Sequence, residues 1–310
     1  MDPLHGVPVA GAIVASAFAC AALMWPVRWL GPWPRAVLIG AVGIVPFVLP
    51  AFLHTDWPIL RGLITLETPL FSIKLLCLGT DAVWWRGQRL RDWIAYLLNP
   101  IRLVPRLNQR APVWPRRDAL RMLARGLIEI TLGGLLVAWA FASPWPASLR
   151  IVEHLVKLTA GYLAVFDGGF VTLTGLCALL EGRALLQSNH PVLAVTPADF
   201  WRRYNMEAGR YFRECVFRPV GGLRRPVVGV LATFAVNGAF HEYLASMLVG
   251  EVRGYQLAFF AIQGTAVAVT LRWRPRGRAA VLSWVFTLLL MASSSVLFCL
   301  SLRGFIDVYP

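Results

Sequence analysis

Eight stretches of predominantly apolar residues recur along the chain, and they constrain its fold more than any other feature. They fall at 7–25, 36–53, 62–83, 124–142, 151–181, 226–249, 255–272 and 279–301. A helix needs about 20 such residues to cross the hydrocarbon core of a bilayer. Within that core only a helix or a closed barrel satisfies every backbone N–H and C=O. These runs are too long and too continuous for barrel strands, so the chain reads as an all-α integral membrane protein with about eight transmembrane helices. Two runs are irregular. Glu67 and Lys74 interrupt the third, and Asp167-Gly168-Gly169 interrupts the fifth, which tilts, breaks or splits into two short segments. Composition points the same way: 57% of residues are hydrophobic and 15% charged, where a soluble domain carries roughly a quarter charged residues.

The net charge of +14 raises nucleic acid as a partner, because basic patches bind phosphate. The positions of the arginines exclude it. Segment 84–125 holds ten, segment 183–225 eight and the short loop 272–278 four, while loops 54–61, 143–150 and 250–254 hold one each. Together with Arg28 and Arg35, this alternation is the positive-inside pattern of a multi-pass protein. Eight spans with both termini outside put every arginine-rich loop in the cytoplasm, facing anionic headgroups. The start, Met1-Asp2-Pro3-Leu4-His5, lacks a basic n-region, so the first run reads as a retained span. Five dispersed cysteines show no metal or disulfide spacing. The halves show no matching hydropathy, an argument against a carrier built from repeats. Residues 1–310 read as one membrane-embedded domain.

Two polar motifs stand out. In the first, Thr196-Pro197-Ala198-Asp199 has the form of a capping box with proline at the first helical position. The helix it opens, running toward Pro219, puts Trp201, Tyr204, Ala208, Tyr211, Phe212 and Cys215 on one face. Arg202, Arg203, Arg210, Arg213 and Glu214 fall largely on the other, which is an interfacial amphipathic pattern. Asn205 lies on or beside the apolar face. It either ties the helix to a neighbouring backbone or aims its amide into a chamber, and spacing alone does not separate these.

The second motif is Asn237-Gly238-Ala239-Phe240-His241-Glu242, inside the run 226–249. His241 is 15 residues into that run, roughly 22 Å from its start. Asn237 stands one turn earlier on the same face. Intramembrane ionisable residues are costly and mark functional sites by default; the alternative is a neutral histidine bonding two helices together. Glu242 points elsewhere on the helix wheel and reads as a brace. His5, His54, His154 and His190 have no partner at a readable spacing. There is no G-x-S-x-G elbow, Walker loop, G-x-G-x-x-G or H-E-x-x-H, so an acyl-serine intermediate is unsupported.

Phe200-Trp201-Arg202-Arg203-Tyr204-Asn205, followed by Asn237-Gly238-x-x-His241-Glu242, resembles the membrane-bound O-acyltransferase family, most nearly its wax synthase branch. The match is best over 190–250. Phe71–Leu76 and Arg91–Pro100 resemble the upstream part of that branch more loosely, and Tyr204 stands where the family often has Trp. The resemblance implies a helical fold with a central tunnel and amphipathic or re-entrant helices on the cytoplasmic side. It implies transfer of a fatty acyl group from acyl-CoA to a lipid or other hydrophobic alcohol, with His241 as general base and Asn205 as its catalytic partner. Trp201, Arg202, Arg203, Tyr204 and Asn237 would line the substrates. Neither a cofactor nor a metal is implied beyond acyl-CoA as co-substrate. Acylation of a saccharide, glycolipid or natural-product hydroxyl is the alternative acceptor chemistry, and a lipid or small-molecule transporter the alternative class. The location would be the membrane itself, the inner membrane in a bacterium.

Overall fold

The computed structural model describes residues 6–53, 58–99 and 101–309. His5, His54 and Pro100 lie outside the described residues. In chain order the helices are α1 (Gly6–Leu23), α2 (Pro32–Val48), α3 (Pro58–Thr80), α4 (Ala82–Arg86), α5 (Leu90–Leu98), α6 (Pro105–Asn108) and α7 (Arg116–Ala142). There follow α8 (Arg150–Gly161), α9 (Gly168–Glu181), α10 (Pro197–Arg203), α11 (Met206–Phe212), α12 (Pro226–Val249), α13 (Tyr255–Thr270) and α14 (Arg278–Ser301). Among the described residues, seven helical stretches are long and apolar enough to cross a membrane. The chain is an all-α, multi-pass integral membrane protein. The eighth expected span is α13, whose 16 residues extend about 24 Å, short of the ~30 Å core. Gly254 and the turn after Thr270 trim it at both ends.

The chain groups into two compact units, residues 1–106 with 240–253, and residues 107–239 with 254–310. Helix α12 contributes to both.

In the first unit, α1, α2 and α3 pack together, and α3 is continuous through both charges that interrupt its sequence. Lys74 is 1% exposed. Its Nζ donates to the carbonyls of Tyr96, Leu97 and Asn99 at 2.9, 2.8 and 2.8 Å. Those carbonyls lie at the end of α5, where the intrahelical pattern runs out; the Tyr96 carbonyl also accepts from the Asn99 N–H at 3.3 Å. The lysine is therefore a buried C-terminal cap. Trp25, Trp85, Trp93 and Tyr96 form an aromatic cluster beside it, with centroids 5.1–6.1 Å apart.

In the second unit, α7 packs along α8 and α9. Ala119, Gly126, Gly133 and Ala140 are buried on α7 at seven-residue intervals, a seam of small side chains. Apolar helices gain little hydrophobic energy from each other in lipid, so close backbone approach has to supply the contact. A Cβ on Gly133 would lie 2.4 Å from the Ala164 nitrogen, and one on Gly126 would lie 2.8 Å from the Gly168 carbonyl oxygen. The fifth run is one helical rod in which a π-turn, Tyr162–Asp167, joins α8 to α9. It neither breaks nor splits; the extra residue of the π-turn absorbs the Asp167-Gly168-Gly169 irregularity.

A second seven-residue pattern joins α13 to α14. Gln256 donates to Ser301 at 2.5 Å and Gln263 to Ser294 at 2.8 Å. Thr270 accepts from the Ala198 N–H at 3.3 Å. In the same C-terminal half of α14, His154 bonds Tyr309, the Ala292 carbonyl at 2.7 Å and Ser295 at 3.0 Å. Its neighbour Glu153 pairs with Lys157 at 2.6 Å and Arg150 at 2.9 Å. This histidine is structural.

Candidate active site

The capping motif forms as its residues dictate. Thr196 accepts from the Asp199 N–H at 3.1 Å, with Pro197 at the start of α10. Asp199 then takes both arginines of the motif, Arg202 at 2.9 Å and Arg203 at 3.0 Å. Their charge is thus partly met within the helix, one turn behind them.

The amphipathic helix expected to continue toward Pro219 does not continue. It stops at Arg203, turns, and restarts at Met206. Asn205 causes the corner: its φ is 41°, in the left-handed region, which asparagine tolerates better than other residues bearing a Cβ. Its Oδ1 accepts from the Ala208 N–H at 3.2 Å and caps α11. Asn205 therefore sits at a bend and not on the face of one helix. Because the cap consumes the amide oxygen, the Nδ2 group is the half left to donate.

Around this corner, Tyr204 stacks on Phe200 at 5.6 Å and meets Phe166 at 5.5 Å and Phe170 at 6.1 Å. Burial, reinforced by the nearby Tyr162 phenol, raises the Tyr204 hydroxyl above the ordinary tyrosine pKa. Trp201 packs against Phe234 at 5.2 Å and donates Nε1–H to Gln263 Oε1 at 2.9 Å. Gln263 passes the contact to Ser294. The corner is also held from the side: Asn189 N–H donates to the Arg203 carbonyl at 2.9 Å, and Met206 N–H to the Gln187 carbonyl at 2.8 Å. Neither Gln263 nor the 187–189 segment was singled out from the sequence. The recurrence of Gln256, Gln263 and Thr270 every seven residues inside an apolar run was the available signal for the first. Nothing in the Gln-Ser-Asn-His run distinguishes a buried clamp from a solvated loop.

Asn237 and His241 lie on α12, which starts at Pro226 as expected. His241 is half-buried. It lies in the first unit, and Asn205, Trp201, Tyr204 and Asn237 lie in the second. Phe240 and Tyr243 flank His241 in sequence and both pack on Phe47, with centroids 6.2 and 5.2 Å apart. Tyr243 also donates to the Phe47 carbonyl at 2.6 Å. Glu242 is buried and accepts from the Arg253 N–H at 3.0 Å. It braces the turn that follows its own helix. His190 is exposed in a left-handed turn.

No family model matches the chain. Curated relatives do. Probable long-chain-alcohol O-fatty-acyltransferase 2 of Arabidopsis thaliana is 27% identical over 167 residues, 49% of this chain and 47% of that protein. Probable long-chain-alcohol O-fatty-acyltransferase 3 of the same plant is 38% identical over 136 residues, 37% of this chain and 40% of that protein. Probable long-chain-alcohol O-fatty-acyltransferase 1 is 26% identical over 267 residues, 79% of this chain and 76% of that protein. The chain thus spans less than half the length of the first two relatives and about three quarters of the third. Five relatives match, and all carry this one description.

The chain is similar to long-chain-alcohol O-fatty-acyltransferases. Its two polar motifs occupy one helix corner and one intramembrane helix.

Proposed function

We propose that the protein transfers a fatty acyl group from acyl-CoA to a long-chain alcohol, forming a wax-type ester. The observation that carries this reading is a histidine, His241, 15 residues into a 24-residue apolar helix. The relatives' descriptions, which name alcohol O-acyl transfer, support it.

A thioester is already activated, so the reaction needs a base for the alcohol, a donor for the oxyanion and exclusion of water. Neutral imidazole takes the alcohol proton as the alkoxide oxygen attacks the thioester carbonyl. The tetrahedral oxyanion needs a hydrogen-bond donor, and Asn205 keeps its Nδ2 for that role, the half of the amide that the α11 cap does not use. Collapse breaks the C–S bond. The imidazolium returns its proton to the leaving CoA thiolate, giving ester, CoA thiol and neutral histidine. Trp201 and Tyr204 offer apolar surface beside Asn205, and Asn237 lies one turn before the base on α12. Arg202 and Arg203, half-neutralised by Asp199, face the CoA phosphates together with the other arginines of 202–225. Counting α13 as an eighth crossing puts both termini outside and the arginine-rich loops in the cytoplasm, where acyl-CoA arrives. The alcohol enters laterally from the bilayer.

The test uses purified protein in detergent with acyl-CoA and a long-chain alcohol, following thiol release and ester mass. We expect ester formation in the wild type and a loss of roughly 10²–10⁴ in turnover for His241→Ala, with unchanged thermal stability. Normal turnover in His241→Ala refutes the assignment. Thiol release only with a saccharide or glycolipid acceptor moves the protein to the other acceptor class.

A further inference from the structure

Asp167 is a carboxylate inside a membrane-spanning rod, 7% exposed, and the proposed chemistry does not use it. An intramembrane charge is expensive and is retained where it does something. Both its oxygens are engaged. Oδ2 accepts from Arg125 Nη2 at 3.2 Å, and Oδ1 from Ser188 Oγ at 2.9 Å. Arg125 is held in turn by Glu129 at 2.7 Å.

Ser188 is the centre of the clamp on the Asn205 corner. Gln187, before it, accepts from the Met206 N–H, and its own N–H donates to Thr174 on α9 at 3.3 Å. Asn189, after it, donates to the Arg203 carbonyl. Arg203 and Met206 bracket Tyr204 and Asn205. Arg210 of α11 adds a bond to the Leu186 carbonyl at 2.8 Å. The path from the rod to the corner is therefore continuous: Arg125, Asp167, Ser188, the two flanking backbone bonds, then Asn205.

We infer that Asp167 is a positioning residue for Asn205, holding Ser188 so that segment 186–189 clamps the α10–α11 corner and sets the place of the Asn205 amide. The inference rests on the reading of Asn205 as the oxyanion donor, and it explains why the π-turn falls where it does. Forming the π-turn at Tyr162–Asp167 displaces Asp167 from the register of a plain α-helix.

The experiment compares Asp167→Ala, Asp167→Asn and Ser188→Ala in the full-length protein by amide hydrogen exchange and by kinetics. Amides released from a hydrogen-bonded clamp exchange faster. Asp167→Ala and Ser188→Ala should speed exchange at Asn189 and Met206 by about tenfold or more, with the interior of α7 unchanged. Asp167→Asn, which keeps an acceptor for Ser188, should largely restore protection. In turnover, Asp167→Ala and Ser188→Ala should lower kcat by on the order of 10- to 100-fold through misplacement of the amide. KM for acyl-CoA should stay within about twofold, because the lost contact forms only in the transition state. In an Asn205→Ala background the added effect of Asp167→Ala should shrink to about threefold or less. Unchanged exchange at Asn189 and Met206 in both alanine variants overturns the inference, as does a full multiplicative effect in the Asn205→Ala background. If Asp167→Ala does not fold, Ser188→Ala carries both arms. If the wild type transfers no acyl group, the proposed function fails and the exchange arm alone decides the inference.

Discussion

Replacing Lys74 with Met tests whether a buried ammonium holds the end of α5. Methionine fills nearly the same volume, so the substitution removes charge and donors without opening a large cavity. Three hydrogen bonds of 2.8–2.9 Å disappear. Each bond to a charged group is worth about 1.5–3 kcal/mol, a gross loss of about 5–9 kcal/mol. Against this, the variant no longer buries an ammonium, whose desolvation costs several kcal/mol. The carbonyls left behind decide the balance, since each buried unsatisfied acceptor costs about 1–3 kcal/mol. The net expectation is about 3–5 kcal/mol of destabilisation, the usual result of removing one partner from a buried charged contact. Tryptophan fluorescence during unfolding in mixed SDS micelles reads this directly, because Trp85 and Trp93 pack against Tyr96 beside the cap. Leu76→Met, at a half-exposed position two residues away, is the control and should shift stability by less than about 0.5 kcal/mol. A Lys74→Met variant as stable as that control refutes the reasoning.

Two further outcomes are expected. Gly133→Val places side-chain atoms where a Cβ alone would be 2.4 Å from the Ala164 backbone; it should separate α7 from the α8–α9 rod and lower the unfolding midpoint, whereas Gly134→Val, with open space around its Cβ site, should not. The Tyr204 hydroxyl is raised by burial, so the folded protein keeps this proton while an unfolded chain loses it near pH 10. Above that pH the unfolded state binds fewer protons, and stability falls by up to about 1.4 kcal/mol per pH unit from this group. Tyr204→Phe should remove that one contribution to the alkaline slope, and an identical slope in the variant counts against the placement of the ring.

Much of this protein was settled by its one-dimensional pattern. The apolar runs determine helices, because lipid offers a backbone no other partner, and the long ones appear as helices close to where the sequence puts them. Thr196, Pro197 and Asp199 act within four residues of each other, so their cap was legible, and so was the depth of His241 along α12. Features that depend on distant partners were not. Lys74 looked like a flaw in a span because its acceptors lie 22–25 residues later in sequence. Asp167 looked like a break because the π-turn and Ser188 that accommodate it are visible only in three dimensions. Asn205 fitted a helical face by periodicity, yet its own backbone preference for the left-handed region, together with the clamp from 187–189, made it a corner. Helical spacing records which residues can share a face; it carries no record of where a chain stops being helical when a neighbouring segment competes for its N–H and C=O groups.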